Sequence, residues 1–167
     1  MELPIRLHDY DVLIEGLQPG SVAHQARAIL RQVLQDAGVA TEDIDDAELA
    51  VGELAANAET HACPPYELRI VSVNGIPTWC EIVDGDPCFT RVAKILRDLN
   101  TADPLTRWFQ ESGRGLLLVH QLSGARCVTY LTRSSVTGCP SKAVTFALPA
   151  KSSPTPDTCR TMFSLRP

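Results

Sequence analysis

Glu53-Leu54-Ala55-Ala56-Asn57-Ala58-Glu59-Thr60-His61-Ala62 is the stretch from which the rest of the chain is best read. Glu53, Asn57 and His61 recur every four residues. On a helix they share one face, each about 6 Å above the last. A carboxylate and an amide oxygen on one face suit a magnesium–nucleotide site. Magnesium prefers hard oxygen ligands and keeps several waters, so one direct protein oxygen can suffice. A neighbouring glutamate can orient or deprotonate a hydroxyl. Spacing alone is more often the mark of an ordinary polar stripe with a hydrogen-bonded histidine.

The flanks support a helix. Thr41 is a candidate cap, and Glu42, Asp43, Asp45 and Asp46 favour the positive end of the helix that follows. Ala47, Val51, Leu54 and Ala58 form its apolar stripe, and Cys63-Pro64-Pro65 stops it near His61. Upstream, Ser21 is a candidate cap for a first amphipathic helix carrying Val22, Ala26, Ile29, Leu30, Val33 and Ala37, ended by Gly38. Before it, Val12-Leu13-Ile14 reads as an edge strand and Pro19-Gly20 as a turn.

Downstream, Tyr66–Val73 and Thr78–Val83 are strand-like and flank Asn74-Gly75, a strong short hairpin signal. Thr90–Leu99 has helical spacing, residues 100–112 read as a polar loop, and Gly115–Leu122 as a short apolar helix. Two further strands are expected near Arg126–Thr132 and Ala143–Leu148. Hairpins packed under helices make an α+β fold, a two-layer α/β sandwich of mostly antiparallel mixed sheet covered by helices. The domain is expected to span residues 1–149. The Pro/Ser/Thr-rich segment 150–167 is read as a disordered tail.

Two more segments can carry chemistry. Asp84-Gly85-Asp86-Pro87 follows a strand directly. A carboxylate there can accept a hydrogen bond from an exocyclic amine, and Gly85 would let a base approach the backbone. By itself the segment is only a turn. Glu111-Ser112-Gly113-Arg114-Gly115-Leu116 places glycines before an apolar helix, whose bare N–H groups can cradle phosphates. A lone Gly-x-Gly is weak evidence, since a tight entry to a helix looks the same.

In this order, the three segments resemble the GHKL (Bergerat-fold) ATPase superfamily, and most closely its branch of anti-sigma-factor serine/threonine kinases. The family's Glu-x-x-x-Asn-Ala-x-x-His-Ala motif is matched by Glu53, Asn57, Ala58, His61 and Ala62. The resemblance implies that Asn57 binds Mg2+ and Glu53 is the catalytic base. It implies that Asp84, with Gly85 beside it, recognises adenine, and that Gly113, Arg114, Gly115 and Leu116 close on the phosphates of ATP. It covers about residues 12–149. The implied function is phosphorylation of a STAS-type antagonist by an anti-sigma factor that also binds a sigma factor, with a homodimer possible. One departure is Cys88, after Pro87, where a second glycine is common. Another is a short lid holding Trp108 and Phe109. Two other readings stand beside it: a catalytically degenerate binding module that regulates transcription by protein contact, and a stand-alone ATPase.

Composition narrows the classes. The chain has 167 residues, which fits one domain. Apolar residues make up 44% and charged residues 21%, the balance of a soluble globular protein. The net charge is -5 with no Lys/Arg run, which argues against direct nucleic-acid binding. An acidic protein must then bind anionic ATP through helix N-termini, backbone N–H groups and a metal. Glu2, Arg6, His8 and Asp9 do not fit a signal peptide, and no apolar run approaches the roughly 20 residues that span a bilayer. A cytoplasmic protein without membrane contact is expected. The six cysteines, Cys63, Cys80, Cys88, Cys127, Cys139 and Cys159, have no zinc-site spacing and read as free thiols.

Overall fold

The computed structural model describes residues 9–101 and 114–149. Five strands and four helices are seen among them: β1 (Tyr10–Leu17), α1 (Val22–Asp36), α2 (Thr41–His61), β2 (Tyr66–Val73), β3 (Ile76–Asp84), α3 (Thr90–Thr101), α4 (Arg114–Leu122), β4 (Cys127–Arg133) and β5 (Pro140–Ala147). The strands form one sheet in the order β1-β2-β3-β5-β4. Every described pairing is antiparallel, so the sheet has no parallel component there. The α+β class holds, with the helices on one face.

Local chemistry explains the elements. Asn74 and Gly75 both have positive φ, 50° and 77°. Those values belong to the tight turn whose twist matches a right-twisted hairpin. The α1 stripe is Val22, Ala26, Leu30 and Leu34, all buried, with Ile29 and Val33 at its margin. Ala37, expected on that stripe, is exposed because the helix has already ended. Ser21 is the N-cap residue of α1, but its side chain caps nothing. Its hydroxyl instead accepts a bond from Gln25 Nε2 at 2.6 Å. Thr41 is not a cap either: it is the first residue of α2, and Ala40 stands at the N-cap. The α2 stripe of Ala47, Val51, Leu54 and Ala58 is buried as expected. It shares one hydrophobic core with Leu68, Ile70, Cys80 and Ile82 of the sheet and with Leu116 and Val119 of α4.

The opposite face of the sheet is not simply solvated. Glu67 and Glu81 there are fully buried, as are Trp79 and Thr145. The β4–β5 loop contributes to this covering. Glu67 Oε1 accepts bonds from Ser134 Oγ at 2.6 Å and Val136 N at 3.0 Å, while Glu67 Oε2 pairs with Arg69 Nη2 at 2.7 Å. Arg69 also donates to the Arg133 carbonyl at 2.6 Å. The expected tail at 150–167, and the lid residues Trp108 and Phe109, lie outside the described residues.

Candidate functional site

The helical face read from the sequence meets the glycine segment. Glu53 and Asn57 are half-buried on α2, and His61 is exposed at its end. Gly115, in the first turn of α4, rests directly on them. A Cβ built at Gly115 would stand 2.7 Å from Glu53 Oε2 and 3.2 Å from Asn57 Nδ2. A side chain there would push the Glu53 carboxylate aside, so glycine is what leaves Glu53 in this position beneath the α4 N-terminus. Arg114 is exposed at the start of that helix. Gly113 lies outside the described residues.

A pocket opens between α2, α3, α4 and the sheet. Leu54, Ile82, Val92, Ile95, Leu116 and Val144 supply apolar wall, and Asn57, His61, Asp84, Arg91 and Lys142 supply polar groups. Such a mixture, mostly apolar with a few convergent polar groups, suits a planar heterocycle with a polar edge. Asn57, Asp84 and Leu116, predicted from three separate segments, are therefore brought together. Glu53 and Gly115 adjoin the pocket through their contact beside Asn57.

Asp84 ends β3 and is 2% exposed. Its Oδ1 accepts bonds from Lys142 Nζ at 2.6 Å and from the Asp86 N–H at 3.0 Å. Burial pushes the Asp84 carboxyl above the usual carboxylate range, and the Lys142 ammonium and the Asp86 N–H oppose it. Asp86 is held below its usual value, first by the Cys88 N–H and also by Lys142, against a smaller effect of burial. The nearby Tyr66 phenol is pushed up by burial, with Asp84 among the negative charges around it.

Gly85 makes a backbone contact of its own. Its N–H donates to the Cys63 carbonyl at 2.7 Å, and a Cβ there would collide with the Pro64 carbonyl oxygen. The backbone that approaches Gly85 is thus the turn after α2, which ties the end of the helix to the end of β3. Gly85 is not on the pocket wall.

Lys142 is the residue that sequence reasoning missed. It lies just before Ala143, where the sequence pattern starts the last strand. The signal is the β3–β5 register, in which Asp84 and Lys142 are direct partners, and that cannot be read without knowing that the two strands pair. Arg91 was likewise passed over on the polar side of α3.

Of the five cysteines among the described residues, all are free; Cys63, Cys88 and Cys139 are exposed, and Cys80 and Cys127 are buried. Among the described residues no helix is long and apolar enough to cross a membrane.

The geometry first defines a class: an α+β domain with one helical layer over an antiparallel sheet, and a pocket where a helix N-terminus meets an Asn/Glu pair. The chain belongs to the histidine kinase-like ATPase domain family, whose model matches residues 17–134. It is an ATPase- or kinase-type domain. No curated protein matches the chain. Among solved structures it is similar to a chain of the SiaB–SiaC complex from Pseudomonas aeruginosa, with a TM-score of 0.59 and 13% sequence identity. That likeness covers 81% of this chain and 89% of the other. At that identity it is a likeness of fold.

Proposed function

We propose that the protein binds ATP with Mg2+ in this pocket and transfers the γ-phosphoryl group to a serine or threonine of a STAS-type antagonist, acting also as an anti-sigma factor. One observation carries the reading: two motifs far apart in sequence, Glu53/Asn57 and Gly115/Leu116, meet at the pocket that also holds Asp84. The residues present suit the ligand. Asp84 offers a carboxylate oxygen to the adenine amine, and the apolar wall offers faces to its ring. The first-turn N–H groups of α4 would hold the phosphates. Asn57, which lines the pocket, would offer its amide oxygen to the metal. Bound Mg2+ would neutralise charge on the β- and γ-phosphates. Glu53 would take the proton of the acceptor hydroxyl. A phosphate adds about -1.5 to -2 charges to the antagonist. That weakens its hold on an acidic kinase and leaves the kinase to a sigma factor. The SiaB–SiaC likeness is to a protein solved with a partner, which fits a two-protein system.

Calorimetry with ATP, with and without Mg2+, is the first test. Wild type should bind, Asp84→Asn should not, and Asn57→Ala should lose the metal dependence. Glu53→Ala should then keep ATP binding while abolishing transfer of labelled phosphate to an antagonist. Binding by wild type with no transfer to any antagonist, but with capture of a sigma factor, would replace the kinase by a degenerate binding module.

A further inference from the structure

We infer that Lys142 is the positioning residue of the base pocket, keeping Asp84 ionised and turned so that its second oxygen serves only as an acceptor for a ligand amine. The inference rests on the nucleotide reading above and adds to it a residue that none of the motifs contains.

Lys142 is 6% exposed at the start of β5, directly across from Asp84 in the register. Its ammonium has three N–H groups. Three acceptors stand around Nζ: Asp84 Oδ1 at 2.6 Å, the Asp86 carbonyl at 3.3 Å and Asp86 Oδ2 at 3.3 Å. Although Lys142 lines the pocket, its N–H groups are engaged by the β3 end and the turn after it. Both hydrogen bonds to the Asp84 carboxylate fall on Oδ1. This fixes the carboxylate plane and assigns Oδ2 to the pocket, which Asp84 lines. An ionised carboxylate accepts only. It therefore favours a purine bearing an amine at this edge and repels one bearing a carbonyl oxygen. Burial works against ionisation here and leaves the carboxyl above its usual range, and the adjacent ammonium offsets part of that effect. The other charged or titratable groups facing this spot are Asp86 on the turn, Tyr66 on β2, His61 at the end of α2 and Arg91 on α3.

The sign follows directly. Without Lys142 the Asp84 carboxyl takes up its proton at higher pH, so amine binding weakens as the pH falls. The test is ATP and GTP affinity of wild type, Lys142→Met and Lys142→Arg across a pH series, with the Asp84 carboxyl followed by carbon NMR. His61 and Arg91 are present in all three proteins, so the difference between them isolates Lys142. The expected result is roughly a tenfold loss of ATP affinity in Lys142→Met at neutral pH. That loss should deepen on acidification and be largely restored by Lys142→Arg. ATP should be preferred over GTP in wild type, with the preference reduced in Lys142→Met. An Asp84 carboxyl that titrates alike in wild type and Lys142→Met overturns the inference, whatever binds. So does unchanged ATP affinity at every pH. If Lys142→Met does not fold, Lys142→Arg decides by its Asp84 titration, which should match wild type and overturns the inference if it does not. Failure of the nucleotide reading looks different: wild type binds neither nucleotide, and the role assigned to Lys142 in base selection falls with it, even if Asp84 titrates as expected.

Discussion

Gly115 is where two requirements of one residue oppose each other. A helix gains from a side chain at such a position, by up to about 1 kcal/mol for alanine over glycine. The site requires that there be none, because a Cβ would press on Glu53 Oε2 and Asn57 Nδ2. Glu53 Oε2 is the far end of a flexible side chain, so it can swing aside and the fold survives. Gly115→Ala should therefore keep or slightly raise the thermal midpoint while cutting phosphoryl transfer by about 10²-fold, the scale of a misplaced catalytic group. A melt and a transfer assay on the same preparation check both halves. A lowered midpoint with normal transfer would remove Gly115 from the site. A second residue-scale expectation concerns the thiols. Burial pushes the Cys127 thiol up to about 12 and the Cys80 thiol well above its ordinary value, with Glu81 adding to the latter. In the folded protein Cys63, Cys88 and Cys139 should react with a thiol reagent at neutral pH. Cys80 and Cys127 should react only after unfolding, as mass spectrometry of the labelled peptides would show. Asn57, Asp84 and Gly115 were legible in the sequence because each belongs to a local pattern. Lys142 was not, because its meaning depends on a partner 58 residues away.

At the scale of elements, the Glu67–Arg69 pair on β2 joins the sheet to the β4–β5 loop. Burial alone would raise the Glu67 carboxyl. The bonds from Ser134, Arg69 and Val136 outweigh it and hold the group below the usual range. A depressed folded-state value means that the contribution is present above the unfolded value and is lost as the pH falls through the folded one. Arg69→Met strands a buried carboxylate and should cost about 3 kcal/mol at neutral pH. The penalty should shrink on acidification, as Glu67 in the variant takes up a proton. Denaturant unfolding of both proteins at several pH values measures this, and a penalty independent of pH would mean that packing, not charge, is what was lost. Hairpins and helices were legible from Asn74-Gly75 and from the α1 and α2 stripes. Ser21 does stand at the α1 N-cap, although its side chain bonds to Gln25 rather than capping, whereas Ala40, not Thr41, occupies the α2 cap and Ala37 falls past the last residue of α1. The covered back face was invisible in sequence, since a fully buried Glu67 carries no local sign of its partners at 134 and 136.

For the whole molecule, a ligand that binds only the folded state adds to its stability. ATP at about one hundred times its dissociation constant should contribute about 2.7 kcal/mol. The thermal midpoint should rise with ATP in wild type and stay put in Asp84→Asn; an equal rise in both would place the nucleotide elsewhere. The α+β class was legible because the order of strands and helices allows few arrangements, whereas the strand order had to come from the structure. That order has a consequence for a chain still being made. β5, the last strand among the described residues, lies inside the sheet between β3 and β4. Until the ribosome has released residues 140–147, the longest strand of the sheet, β3, shows a bare edge of unpaired backbone groups, and β4 has nothing to join. Such an edge recruits other chains. Premature termination before Pro140 should therefore yield a product prone to aggregate as well as unable to form its site, and the nascent domain would depend on holdase chaperones until β5 arrives.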